Sequence, residues 1–177
     1  MDNQNINPSL AIGVIIKNNQ DKILLVQEKR DKYYEKAKDI WGLPAGKVEW
    51  TESIADGLKR EMKEELNIEI KLIGLLGLYQ YLRNDSQCLG VAILANLTDN
   101  SDIQYNEQEV QDIKWMSIDE ILSSDTQFRY GVREVLEDYQ KNKTILPFKY
   151  VRFFDLRENL WWAIAEPARG YRYIPYS

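Results

Sequence analysis

The sequence predicts a mixed α/β domain of the α+β kind, and three observations carry that expectation. Leucine-rich and β-branched runs recur at Leu10–Ile16, Ile23–Val26, Ile68–Leu82 and Cys88–Leu97, each short enough to be a strand. Between the second and third, Ile54, Leu58, Met62 and Leu66 recur at every fourth position, the spacing of an amphipathic helix over Ser53 to Asn67. A second apolar stripe, Val132, Val135, Leu136 and Tyr139, marks a later helix between Gln127 and Lys141. A chain of 177 residues with 44% hydrophobic composition buries one good core, so one domain with a terminal extension is expected.

Taken in order, Leu10–Ile16 and Ile23–Val26 flank the polar Lys17–Lys22 and read as a hairpin. Glu28 to Asp39 is dense in both charges. It reads either as a solvated connection or as a loop in which Arg30 or a neighbouring lysine reaches phosphate and Tyr33 or Tyr34 stacks on a base. Trp41 to Lys47 turns sharply, with Pro44 restricting Leu43 and with Gly42 and Gly46 free to take unusual angles. Ser53 is the expected N-cap of the first helix and Asp56 suits its dipole. The two long apolar runs that follow, joined at Arg83–Ser86, are expected as central strands covered on both faces. Thr98 to Val110 is a polar, acidic loop before a short strand, Asp112–Met116. Ser117 and Glu120 then form a capping box that opens a short helix. From Thr144 the chain becomes aromatic, and this segment either folds back on the domain or builds an interface between two copies.

On the first helix Glu61, Glu64 and Glu65 stand at i, i+3 and i+4 and share one side of the cylinder. Alternating charge on a solvated face explains many such patterns, because Lys59, Arg60 and Lys63 offset a repulsion of only about 0.2–0.5 kcal/mol per pair. The position of Glu65 is more telling, since it falls about 20° from Leu58, inside the apolar arc. A carboxylate there is partly buried and needs a cation or an arginine beside it. Gly57, one turn before Glu61, is expected to leave that side bare for a hard metal ion and a phosphate.

The whole stretch from Gly46 to Ile68, GKVEWTESIADGLKREMKEELNI, resembles the Nudix box, with Gly46, Glu52, Arg60, Glu61, Glu64 and Glu65 at the family's places. The preceding Trp41-Gly42-Leu43-Pro44-Ala45 is also of family type, while Asn67 stands where a glycine is usual and tolerates the left-handed conformation of a helix C-cap. The resemblance covers roughly Leu10 to Lys141. It implies an α-β-α sandwich with a mixed, curved sheet over residues 1–142, followed by an extension over 143–177 packed on the domain or at a dimer interface. It further implies Mg²⁺ or Mn²⁺ held by Glu61, Glu64, Glu65 and the Ala45 carbonyl. Glu61 is then general base or ligand, and Arg60 orients a glutamate, with Glu52 as partner. Lys47 and Arg30 are expected at phosphate, and Glu107 or Glu109 as an extra carboxylate from the loop before the late strand.

Composition narrows the chemistry. The absence of histidine removes Ser-His-Asp, Cys-His and HExxH-type zinc sites. The lone Cys88 excludes an intrachain disulfide and a cysteine-rich zinc site, and its apolar neighbours suggest a core position. A net charge of −5 argues against a general nucleic-acid binder and favours a small nucleotide-type ligand held by local cations. The polar N-terminus and the lack of any membrane-spanning run lead to the expectation of a soluble, cytoplasmic protein with no membrane partner. By resemblance the reaction is metal-dependent hydrolysis of a nucleoside diphosphate linked to another group. The LPAGK turn, the ILLVQEKR strand and the TILPF segment point towards enzymes that clear oxidised purine nucleotides, and no proline follows the box before Pro147 as ADP-ribose-type members tend to have. A nucleotide-sensing module without catalysis and an RNA 5′-end pyrophosphohydrolase are the alternatives, the latter served by a basic strip of Lys29, Arg30, Lys32, Lys36 and Lys38.

Overall fold

A computed structural model describes residues 7–29, 40–82, 86–98, 103–141 and 145–147, together with the short strand pairs 154–155 and 172–173. Arg30 and Tyr33, Tyr34 of the charged excursion, and most of the aromatic tail, lie outside the described residues. The strands are β1 (Asn7–Lys17), β2 (Ile23–Glu28), β3 (Ala45–Lys47), β4 (Ile70–Leu82), β5 (Ser86–Leu97), β6 (Val110–Met116), β7 (Leu146–Pro147), β8 (Phe154–Asp155) and β9 (Arg172–Tyr173). The helices are α1 (Ile54–Leu66), α2 (Ile118–Ser123) and α3 (Val132–Lys141). Among the described residues no helix is long and apolar enough to cross a membrane.

The main sheet runs β6-β2-β1-β5-β4-β7, with β3 beside β1. It is mixed, because β1 and β5 are parallel along their length while the other pairs are antiparallel. Pairing of β1 with β2 is registered only at Lys17 and Ile23, next to the turn. Beyond it β2 follows β6, and β3 takes its place against β1, with Ala11 opposite Lys47 and Gly13 opposite Ala45. The sheet therefore forks, and the turn carrying Ala45 and Gly46 is seated in the fork beside α1.

Each face of the sheet buries its own apolar cluster. Ile12, Val14, Leu24, Val26, Val91 and Ile93 meet Leu58, Met62 and Leu66 of α1, whereas Ile15, Leu25, Ala92 and Leu94 meet Ile121 of α2 and Val135, Leu136 of α3. This is an α-β-α sandwich. Helix α1 begins at an N-cap in which Ser53 Oγ accepts from Asp56 N at 3.1 Å, and ends at Asn67 with φ 51°, ψ 36°. A left-handed cap is within reach of asparagine, which explains why the usual glycine is dispensable here. The capping box of α2 is present with Ser117 and Glu120.

Several expectations need correction. The third helix starts at Val132, not Gln127, because Phe128 bridges to Trp41 and Gly131 turns the chain at φ +88°. Strand β2 continues through Gln27 and Glu28 and β6 begins at Val110, since the two pair beyond their most apolar residues. The far end of β4 is not covered on both faces, for Leu78 and Leu82 are exposed. Cys88 is half-buried rather than a core residue. Gly42 and Gly46 keep φ values outside the left-handed region, so space rather than backbone freedom explains them. The start of the extension joins the sheet, with Leu146 and Pro147 paired to Leu75 and Gly74 of β4.

Candidate active site

The geometry begins at Gly46. A Cβ on this residue would stand 2.1 Å from Glu61 Cγ and 2.2 Å from its Cδ, so the Glu61 side chain lies directly against the bare backbone. Its Oε1 accepts from Lys47 N at 3.2 Å and lies 3.1 Å from Arg60 Nη1. The glycine of the turn and Glu61 of the helix thus form one unit.

Arg60 is the hub of that unit. Its Nε and Nη2 donate to the two oxygens of Glu52 at 3.1 and 2.7 Å, a fork-on-fork pair. Nη2 also donates to Lys47 O at 3.1 Å and Nη1 to Glu64 Oε2 at 3.0 Å. The hydrogen bond to Arg60 is the main cause holding Glu52 below its usual carboxylate range, and Glu52 in turn raises Arg60. Glu52 is further fixed by the Glu49 amide at 2.7 Å. Gly57 does not leave a bare surface for a metal, because a Cβ there would meet Glu52 Oε1 at 3.0 Å and Ile12 Cδ1 at 3.5 Å. It is the space in which the Glu52 carboxylate sits.

The three helix glutamates do not behave alike. The Glu61 side chain is 16% exposed, whereas that of Glu64 is 56% exposed and turned to Arg60. Glu65 faces inward, as its place beside Leu58 requires, and its Oε2 is fully buried with no hydrogen-bond partner among the described residues. Its carboxyl is pushed up to about 8, first by burial, then by Glu28, Glu61 and Glu109, with Arg129 opposing. A cavity of about 650 Å³ opens here, lined by Glu28, Lys29, Glu65, Gln108 and Glu109.

Backbone pairing brings these residues together. Asn106 N donates to Glu65 O at 2.8 Å, and Lys29 N donates to Glu109 O at 2.8 Å, so the loop before β6 is tied to both α1 and the end of β2. Of the two loop candidates, Glu109 therefore faces the cavity. Glu107 is exposed, and its carbonyl accepts from Lys29 Nζ at 2.8 Å. Ala45 opens β3 next to Gly46, and Lys47 is exposed.

Two residues escaped the sequence reading. Glu28 ends β2 on the same face as Leu24 and Val26, the face under α1, and that alternation was a usable signal once the strand is extended. Arg129 sits on the irregular segment before α3 and forms an ion pair with Glu28. No periodicity marks it.

Among the described residues no three acidic or cysteine side chains already form a ready-made ligand set. The donors nonetheless suit a hard divalent ion. They are all oxygens, one of them is buried without a partner, and neighbouring carboxylates raise the cost of its charge.

A family model for the NUDIX domain matches residues 7–139. Nudix hydrolase 2 of Arabidopsis thaliana is 27% identical over 143 residues, covering 79% of this chain and 50% of that protein. An 8-oxo-dGDP phosphatase of Danio rerio is 39% identical over 70 residues, covering 40% of this chain and 20% of that protein. Among solved structures, a NUDIX hydrolase from Nitrosomonas europaea superposes with a TM-score of 0.69 at 25% identity, covering 83% of this chain and 97% of that one. The chain spans about half the length, or less, of the curated relatives it matches.

Proposed function

The chain belongs to the Nudix family, and from that premise we propose that it hydrolyses a nucleoside diphosphate linked to another group, in an Mg²⁺- or Mn²⁺-dependent reaction. The substrate class we favour is an oxidised purine nucleoside di- or triphosphate, the chemistry named for its relative from Danio rerio. The observation that carries the reading is the buried, unpartnered Oε2 of Glu65 at a cavity edged by Glu28 and Glu109, with Glu61 beside it.

A diphosphate bridge resists hydrolysis because water must attack where negative charge already accumulates. Glu61, Glu64, Glu65 and the Ala45 carbonyl, with Glu109 as an added carboxylate, would hold a divalent ion, which would supply positive charge and acidify a water. The chain's own residues do the rest. Glu61, fixed over Gly46 by the Lys47 amide and Arg60, is placed to accept a proton from the attacking water or to serve as ligand. Arg60 and Glu52 position it: their bidentate pair ties the loop at Glu49–Glu52 to the helix, so the Glu61 rotamer is set before substrate arrives. Lys47 and Arg30 are assigned to phosphate.

The test is a panel of nucleoside diphosphates and triphosphates with and without an oxidised base, dinucleoside polyphosphates, nucleotide sugars and capped RNA, with products identified by mass. Metal-dependent release of phosphate or pyrophosphate is expected, strongest on oxidised purine nucleotides. Glu61→Gln should lower kcat by about 100-fold or more while the fold persists. An unchanged rate in that variant would remove Glu61 from its assigned role, and tight binding without turnover of any compound would favour a nucleotide sensor.

A further inference from the structure

Arg129 has no part in the reaction assigned to the box, yet its backbone and its side chain are both engaged. Its backbone N–H donates to Trp41 O at 2.9 Å, and its carbonyl accepts from Val132 N at 3.2 Å. Its side chain lies over Gly42, where a Cβ would stand 3.0 Å from Cδ and 3.5 Å from Nη1. Its guanidinium ends on the carboxylate of Glu28, and only 18% of the side chain is exposed. Glu28 in turn lines the cavity with Glu65 and Glu109.

We propose that Arg129 is a positioning residue that holds the Glu28 carboxylate in the cavity, making Glu28 a further cation-binding group beside Glu65 and Glu109. The inference rests on reading the cavity as a divalent-cation site. Its physical basis is the repulsion among the acids. Glu28, at a strand end next to Glu65 and Glu109, would relax away from them into solvent if nothing held it. The ion pair with Arg129 supplies that restraint, and Gly42 supplies the room for the guanidinium to lie against the strand. Arg129 also opposes the effect of the three carboxylates on Glu65.

A counter-charge and a positioning residue act with opposite sign on cation affinity. Removing a mere counter-charge strengthens cation binding, because a repelling cation is lost. Removing a positioning residue weakens it, because a ligand is lost. The experiment is calorimetric titration with Mn²⁺ of the parent protein, Arg129→Gln, Arg129→Lys, Glu28→Gln and the double variant, each checked by circular dichroism melting.

Arg129→Gln is expected to weaken Mn²⁺ binding about 10- to 100-fold, the range seen when the partner of a metal ligand is removed. Glu28→Gln should weaken it comparably, and Arg129→Gln should add no further weakening in the Glu28→Gln background. Arg129→Lys should recover part of the affinity, since the charge returns without the planar fork. Parent-like or tighter binding by Arg129→Gln would overturn the proposal. So would further weakening in the double variant. If Arg129→Gln fails to fold, Glu28→Gln and Arg129→Lys decide, and parent-like affinity in both overturns it. A parent protein that binds Mn²⁺ but turns over no nucleotide defeats the proposed reaction and leaves this inference standing. One that binds no Mn²⁺ defeats both.

Discussion

Two arginines anchor the candidate site, and they are built differently. Arg60 works within the box: its partners Glu52, Glu61, Glu64 and Lys47 all come from one continuous stretch of chain that turns back on itself. Arg129 works across the fold, reaching Glu28 at the end of β2 from a segment that the bridge between Trp41 and Phe128 brings near. The first clamp is multiply bonded and redundant. The second reaches the cavity through its ion pair with Glu28 and depends on the tertiary structure that delivers it.

The comparison predicts that damage to the local clamp costs most. Gly46→Ala places a Cβ on Glu61 Cγ, an atom in the middle of a side chain held at its end by Lys47 and Arg60. Glu61 has to leave its position, because the backbone under it belongs to β3 paired with β1. A displacement of about 1 Å at a reacting group costs about 100-fold in rate. Steady-state kinetics on the best substrate of the panel should show this loss in kcat, with melting temperature little changed. Activity within twofold of the parent would mean that Glu61 functions from another rotamer.

The same division explains what the sequence could reveal. The helix, its Ser53 and Asn67 caps and the inward face of Glu65 follow from spacing within one turn or a few, where helical geometry determines who meets whom, whereas the Arg60–Glu52 pairing comes from the family resemblance. Glu28 and Arg129 depend on which strand β2 pairs with and on where α3 begins, and no local pattern reports either. Gly42, Gly46 and Gly57 were legible as glycines of a tight turn and a helix, but their reason was not. Each makes room for a charged side chain, Arg129, Glu61 and Glu52 respectively, and that is a statement about tertiary contact.

Glu65 joins the two clamps, and its titration measures the strain between them. Its folded-state pKa of about 8 lies above the ordinary glutamate value of about 4.5, so the folded protein holds a proton that the unfolded chain releases. Stability from this group is fully present below about pH 4.5 and is lost as pH rises through about 8, at most about 1.4 kcal/mol per pH unit. Urea unfolding in EDTA at pH 5 and pH 8 should show that decline in the parent and a smaller one in Glu65→Gln. The variant should be the more stable of the two at pH 8. Added Mg²⁺ should stabilise the parent at pH 8 and Glu65→Gln much less. Equal pH slopes in both proteins would show that neither burial nor Glu28, Glu61 and Glu109 raise Glu65 as its placement implies.

Gly42→Ala is the smaller counterpart of Gly46→Ala and the finest test of the contrast. Its Cβ would meet Arg129 Cδ at 3.0 Å and Nε at 3.4 Å, against 2.1 Å at the other glycine. Gly42 keeps an ordinary φ, so the substitution brings no backbone strain and acts only by pushing the arginine. A long side chain yields a few tenths of an ångström by small torsions, and the pair with Glu28 loosens without breaking. The expected loss in Mn²⁺ affinity is below about tenfold, less than for removing Arg129 altogether. Glu28→Gln should reduce that sensitivity, because the ion pair is the contact through which Arg129 holds a carboxylate at the cavity. A loss at Gly42 as large as that at Gly46 would mean that the long-range clamp is as rigid as the local one, and that both arginines carry the site equally.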